Sequence, residues 1–249
     1  MADYQMLLVG RKEIARSTMA FWFDPNGVKY EFRAGQHADF SFLNPRDGDK
    51  GGDNERTFSL ASSPQETGPI MVAMRMRETG FKTALNATPA GTLFKVSGPR
   101  GSFTLHKDSS RPAVFLAGGI GITPIRSILH SAVCGGLPHQ VYLFYSNRDA
   151  GDAAFFSELE EWAARNRSFV LVPTITKGAN PAGRCHTGYI DHALLAKHLA
   201  GFNGPLYYVA GPSGMAVAML DVLRRAGVSE DDIKTEEFGD YKFDLPGTP

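Results

Sequence analysis

Two rhythms of apolar residues divide the chain. Up to about residue 100, short runs rich in aromatic and β-branched side chains recur at 7–9, 19–23, 28–32, 38–42, 57–61, 70–74 and 93–96. Turn formers separate them: Asp24-Pro25-Asn26-Gly27, Asn44-Pro45, the polar stretch 47–54, and Gly68-Pro69. Several short strands at this spacing predict an antiparallel barrel or sandwich. Beyond Arg111-Pro112 the rhythm lengthens. Strands at 113–117, 140–145, 169–175, 206–210 and 233–238 alternate with helices at 124–131, 152–165, 191–199 and 214–226. That alternation predicts βαβ units and a doubly wound parallel sheet. The break at 106–111 divides the chain into an all-β unit, 1–106, and an α/β unit, 107–249.

Composition narrows the class. An apolar fraction of 43% with 21% charged residues is that of a globular protein and excludes a wholly disordered chain. Lys and Arg number 26, as do Asp and Glu, so the surplus of positive charge that nucleic-acid binding needs is missing. Residues 1–106 carry 13 basic and 11 acidic side chains, a local excess of +2. The start, Met1-Ala2-Asp3-Tyr4-Gln5, has no basic-then-apolar leader pattern, and the apolar stretch 113–125 is interrupted by three glycines. The expectation is a cytoplasmic protein with neither nucleic acid nor membrane as a partner. With only Cys134 and Cys185, and no paired histidine spacing, one chain builds neither a disulfide framework nor a metal site. Redox chemistry here requires an organic cofactor.

Four clusters carry candidate chemistry. Gly118-Gly119-Ile120-Gly121-Ile122-Thr123-Pro124 follows the first buried strand and opens a helix. Thr123 suits the helix N-cap and Pro124 the first helical position, while the glycines let a phosphate or planar ring approach the backbone. The pattern departs from the common dinucleotide fingerprint, because Pro124 stands where a third glycine would pack helix on strand. The next strand ends in Ser146-Asn147-Arg148, an edge where arginine suits an adenosine 2′-phosphate; the alternative for Arg148 is a solvated surface position. In the all-β unit, Arg56-Thr57-Phe58-Ser59 alternates a guanidinium and an aromatic ring with two hydroxyls. Met74-Arg75-Met76-Arg77 lies on a later strand, and Gly80-Phe81-Lys82-Thr83 opens a short helical stretch. Gly211-Pro212-Ser213-Gly214-Met215 repeats the strand–turn–helix logic at the carboxyl edge of the parallel sheet, where ligands bind in open α/β sheets. Glu236-Glu237-Phe238 closes the last strand at the same edge.

As an ordered set, these residues resemble the ferredoxin–NADP⁺ reductase superfamily of flavoenzymes over nearly the whole chain. The matches are Arg-x-Tyr/Phe-Ser at Arg56, Phe58 and Ser59, Gly-x-x-Ser/Thr at Gly80 and Thr83, and the complete glycine loop 118–124. Gly-Pro-x-x-Met at Gly211, Pro212 and Met215 and Glu-x-aromatic at Glu236 and Phe238 complete the set. The resemblance implies a Greek-key barrel holding FAD, or less readily FMN, and a nucleotide domain for NADPH or NADH. By resemblance Arg56 holds the flavin pyrophosphate, Phe58 lies against the isoalloxazine, Ser59 bonds near N5, and Phe238 covers the flavin at rest. Thr57, Met74, Arg75, Met76, Phe81, Lys82 and Thr83 join the flavin site; Gly118, Gly119, Gly121, Thr123, Pro124, Ser146, Asn147, Arg148, Gly211, Pro212 and Met215 form the nucleotide site. Two departures are Ala210, where many members have cysteine, and Phe58, where many have tyrosine.

The implied activity is hydride transfer from nicotinamide to flavin, with Ser59, Glu236 and Phe238 as the catalytic set and electrons passing to a separate acceptor. A ferredoxin or flavodoxin is the implied partner of a monomeric reductase, and Arg75, Arg77, Lys82 and Arg100 either dock it, serve the flavin phosphates or stay solvated. The competing expectations are a free-flavin or quinone reductase, a flavoprotein subunit of a larger redox complex, and a nucleotide-binding module without flavin.

Overall fold

The protein is described by a computed structural model covering residues 2–43, 54–77, 80–178, 180 and 183–237. Among these residues the strands form two six-stranded sheets. The first contains β1 (Asp3–Ala15), β2 (Thr18–Asp24), β3 (His37–Phe42), β4 (Glu55–Ser59), β5 (Ile70–Arg75) and β6 (Leu93–Arg100), with α1 (Gly80–Ala87) between the last two. Its order is β4-β3-β6-β1-β2-β5 and every pairing is antiparallel. The sheet curls until its edges meet: Leu60 bridges Val72, and the Ala61 amide donates to the Met71 carbonyl at 2.8 Å. Inside the curl Phe23 packs on Phe40 and Phe94 at ring separations of 4.8 and 5.3 Å. Aromatic residues on alternate strand positions thus fill the core that the sequence pattern marks.

The second sheet is parallel throughout and runs β10-β9-β8-β7-β11-β12. Its strands are β7 (Ala113–Gly118), β8 (Val141–Asn147), β9 (Phe169–Ile175), β10 (His186–Thr187), β11 (Leu206–Gly211) and β12 (Ile233–Glu237). The helices are α2 (Ile122–Leu129), α3 (Phe156–Arg165), α4 (His192–His198) and α5 (Ser213–Arg225). All residues of β7 and β11 are buried, as central strands covered on both faces require. One apolar cluster includes Phe115, Ile125 and Leu159, the other Leu116, Leu195 and Leu223, so the sheet separates two cores.

Two local expectations are overturned. The segment 28–32 pairs with no strand among the described residues: the Val28 amide bonds the Pro25 carbonyl, closing a turn. Its alternation reflects side-chain packing, with Tyr30 seated edge-on against Tyr4 at 4.9 Å. Thr123 is not an N-cap either. A 3₁₀ turn, Gly119–Gly121, feeds directly into α2, Gly121 occupies the cap position, and the Thr123 hydroxyl donates back to the Ile120 carbonyl at 3.0 Å. Pro124 is therefore the third helical residue and not the first, still within the first turn, where its missing amide hydrogen costs no hydrogen bond.

No described helix is long and apolar enough to cross a membrane.

Candidate active site

The site forms between strands β4 and β5 of the curled sheet and the residues that follow β7 at the carboxyl edge of the parallel sheet. A cavity of about 230 Å³ opens there. β4 contributes all of Arg56 to Ser59, β5 contributes Ala73, Met74 and Arg75, and the loop after β7 contributes Ile120 and Thr123. Arg77 and Lys82 bring the cationic side chains on the wall to four, alongside Arg56 and Arg75. A pocket with this much positive charge, and with Ala73, Met74 and Ile120 as apolar lining, suits an anionic molecule that also carries an apolar part.

Several walls are fixed from behind. The Lys82 ammonium donates to the Arg75 carbonyl at 3.1 Å, so α1 and β5 hold one another. Thr57 donates to Asp39 Oδ1 at 2.5 Å, and Arg100 pairs with the other oxygen of the same buried carboxylate. Arg75 also lies 4.0 Å from Asp152 on the far side of the domain junction.

Ser59, which lines the cavity, meets Glu236, which does not. The Ser59 hydroxyl donates to Glu236 Oε1 at 2.7 Å, joining residues 177 positions apart. Strand register explains the meeting: β12 lies parallel to β11 with Glu236 opposite Ala210, so the carboxylate emerges at the sheet edge facing β4. Burial raises the Glu236 pKa above the ordinary carboxylate value, and the Ser59 hydrogen bond only partly opposes this. The pair can therefore retain a proton at a pH where a solvated glutamate has lost it.

The glycines after β7 divide their work. A Cβ on Gly118 would lie 2.3 Å from Met215 Sδ, and one on Gly121 would lie 2.3 Å from the Ala210 carbonyl oxygen. These two residues let the loop touch the turn after β11. Gly119, by contrast, has φ +52° and nothing within 4 Å of the point where a Cβ would sit, leaving its position open to a ligand. The two glycine turns are thus one packed unit, with Gly211 against Gly118.

The remaining candidates fall in different places. Phe58 lines the cavity but is only 8% exposed, with its ring on Phe40 and Phe81. Phe81 is in the apolar core and Thr83 is exposed, so α1 presents Lys82 to the cavity rather than either of them. Met76 packs against the barrel core. Ser146 and Asn147 end β8, and Arg148 beyond them is exposed. Asn147 is buried, and its Oδ1 has no hydrogen-bond partner among the described residues. Phe238 lies outside the described residues. Ala73 and Ile120 are wall residues that the motifs do not mark; Ile120 was legible as the variable position of the glycine loop, the one side chain that loop has to offer.

Comparison with known proteins agrees with this arrangement. Residues 115–221 match the family described as the oxidoreductase NAD-binding domain. The phenol hydroxylase P5 protein of Acinetobacter pittii is 26% identical over 240 residues, 95% of this chain and 65% of its own length. Ferredoxin–NADP reductase B of Sorangium cellulosum is 26% identical over 220 residues, covering 86% of this chain and 88% of that protein. The chain thus spans less than two thirds of the phenol hydroxylase protein and most of the ferredoxin–NADP reductase. A crystal structure of a ferredoxin NADP⁺ reductase from Neisseria gonorrhoeae with bound FAD and NADP superposes with a TM-score of 0.79 at 18% identity, over 95% of this chain and 99% of that one. In its fold and in the order of its motifs the chain is similar to the ferredoxin–NADP⁺ reductase-like oxidoreductases.

Proposed function

We propose that this protein is an FAD-dependent NAD(P)H oxidoreductase that passes electrons to a separate acceptor. The observation that carries the proposal is the 2.7 Å contact from Glu236 to Ser59, a residue that lines a cavity with four cationic side chains on its wall. When bound, the flavin supplies a ring system that takes two electrons as hydride from a nicotinamide and gives them up singly.

The chain's residues then divide the task. Arg56, Arg75, Arg77 and Lys82 would neutralise the pyrophosphate, and Met74 and Ile120 would give the rings apolar neighbours. Gly119 admits the nicotinamide, since hydride transfer needs donor and acceptor atoms within about 3–3.5 Å. When Glu236, with its raised pKa, is protonated it would donate to Ser59, freeing the Ser59 hydroxyl proton to be offered to the bound ring. Arg148 at the edge after β8 selects NADPH through the 2′-phosphate. The acceptor is a redox protein: relatives include proteins named as reductase components of phenol 2-monooxygenase and of propane 2-monooxygenase.

An anaerobic titration tests the proposal. Purified protein should be yellow, and NADPH should bleach it with a lower half-saturation than NADH. A protein that stays colourless after incubation with FAD and FMN sinks the proposal; bound flavin that neither nucleotide bleaches identifies a non-enzymatic electron carrier instead.

A further inference from the structure

Behind the cavity lies a second polar cluster whose members do not line it. Arg126, on the first turns of α2, is 4% exposed although it carries a full charge. Its guanidinium forks onto Glu66 at 2.8 and 2.9 Å and onto Glu158 at 2.8 and 2.6 Å, and it reaches the Ala61 carbonyl at 2.8 Å. These contacts use all five guanidinium donors. The rings of Phe155 and Trp162 lie 5.4 and 5.7 Å from its central carbon.

The partners belong to different sheets. Glu158 is on α3 of the parallel-sheet unit, whereas Ala61 and Glu66 belong to the segment that leaves β4 immediately after Ser59. Neighbouring residues of α2 and the turn that continues it strengthen the same seam. Ser127 donates to the Ser62 carbonyl at 2.6 Å, and Ser131 donates to Gln65 Oε1 at 2.7 Å. Arg126 stands three residues from Thr123, and Ala61 stands two from Ser59, both of which line the cavity. The cluster therefore ties the two halves of the site together close behind their reacting ends.

A buried ion group is a poor source of net stability, because desolvation offsets most of its attraction. What two planar forks supply is fixed distance and orientation. We propose that Arg126 is a positioning residue that sets the spacing between the flavin motif at Arg56–Ser59 and the glycine loop at Gly118–Thr123, and so the rate of hydride transfer. This rests on the proposed function.

The test compares Glu66→Gln, which weakens the cross-sheet link, with Arg126→Lys, which keeps the charge but replaces five planar donors by three. Stopped-flow flavin reduction at saturating NADPH should slow about 10²-fold in both, the scale expected of a displacement near 1 Å. The dissociation constant for NADPH should change less than about threefold, and amide exchange in 61–66 should accelerate. Full reduction rate at saturation, or a loss expressed only in NADPH affinity, overturns the proposal. Glu66 is partly exposed, so Glu66→Gln remains a valid test if Arg126→Lys does not fold. Should wild-type protein prove colourless, the functional reading fails, and amide exchange decides the clamp alone: unchanged protection in Glu66→Gln refutes it.

Discussion

Glu236 is a carboxyl group whose pKa is raised by burial, so its folded form holds a proton more firmly than its unfolded form. Stability therefore falls as pH rises from the unfolded value through the raised one, and the loss is complete above it. Replacing Glu236 by Gln removes this slope: the melting temperature of the variant relative to wild type should increase as pH rises from the ordinary glutamate value of 4.5 toward neutrality. An unchanged difference across that range would mean that Glu236 is solvated. Ser59→Ala removes the hydrogen bond that lowers the Glu236 pKa, so the pKa should rise further, and the pH profile of flavin reduction should move toward alkaline pH. His106 behaves in the opposite sense. Burial depresses its pKa while Tyr208 and the Arg111 carbonyl hold its ring nitrogens at 2.9 Å. Its contribution is present above the unfolded value of 6.5 and lost as pH falls through the depressed one.

The loop and helix ends show where local rules decide structure. Gly121→Ala places a methyl against the Ala210 carbonyl oxygen, a backbone atom that cannot turn away, and should cost about 1–3 kcal/mol, the range for overpacking. Gly119→Ala meets open space and only a positive φ, so thermal melts should show the smaller loss there, with the larger effect on nucleotide affinity. At α4, Asp191 accepts the Leu194 amide at 2.8 Å as an N-cap; Asp191→Ala should cost about 1 kcal/mol in a denaturant melt. Periodicity made most elements readable: β9 occupies the residues its pattern marks, and α5 starts one residue from expectation. It failed at 28–32, because alternation reports which side chains are buried and says nothing of whether the backbone finds a partner. It also missed β10, whose two residues are too few to show a period. The motif residues were legible as types in order, but the clamp was not: nothing in Arg126, Glu66 or Glu158 as isolated letters distinguishes a buried fork from a solvated charge.

On the scale of the molecule, the two sheets are joined by specific polar contacts as well as by packing. Besides the Arg126 cluster, the Arg16 amide at the β1–β2 turn donates to the Gly151 carbonyl at 2.8 Å, and the Arg16 side chain pairs with Asp149 at 3.0 Å. That second contact bears on the loop that follows Arg148. Arg148→Asp should raise the NADPH dissociation constant while leaving that for NADH nearly unchanged; equal effects on both would remove Arg148 from the 2′-phosphate site. Arg16→Ala is expected to have little effect on melting, because the pair is exposed and such pairs contribute about 0–1 kcal/mol.

The Ser59–Glu236 contact also imposes an order on synthesis. A ribosome makes Ser59 177 residues before Glu236, an interval of roughly 10–35 s at typical elongation rates of about 5–20 residues per second. For the last 136 of those residues, once β6 has been made through Arg100, all strands of the curled sheet and its cationic wall exist without the Glu236 carboxylate. On the proposed function, a nascent chain halted before β12 is expected to bind flavin without the group that completes the site, which separates cofactor capture from competence for turnover.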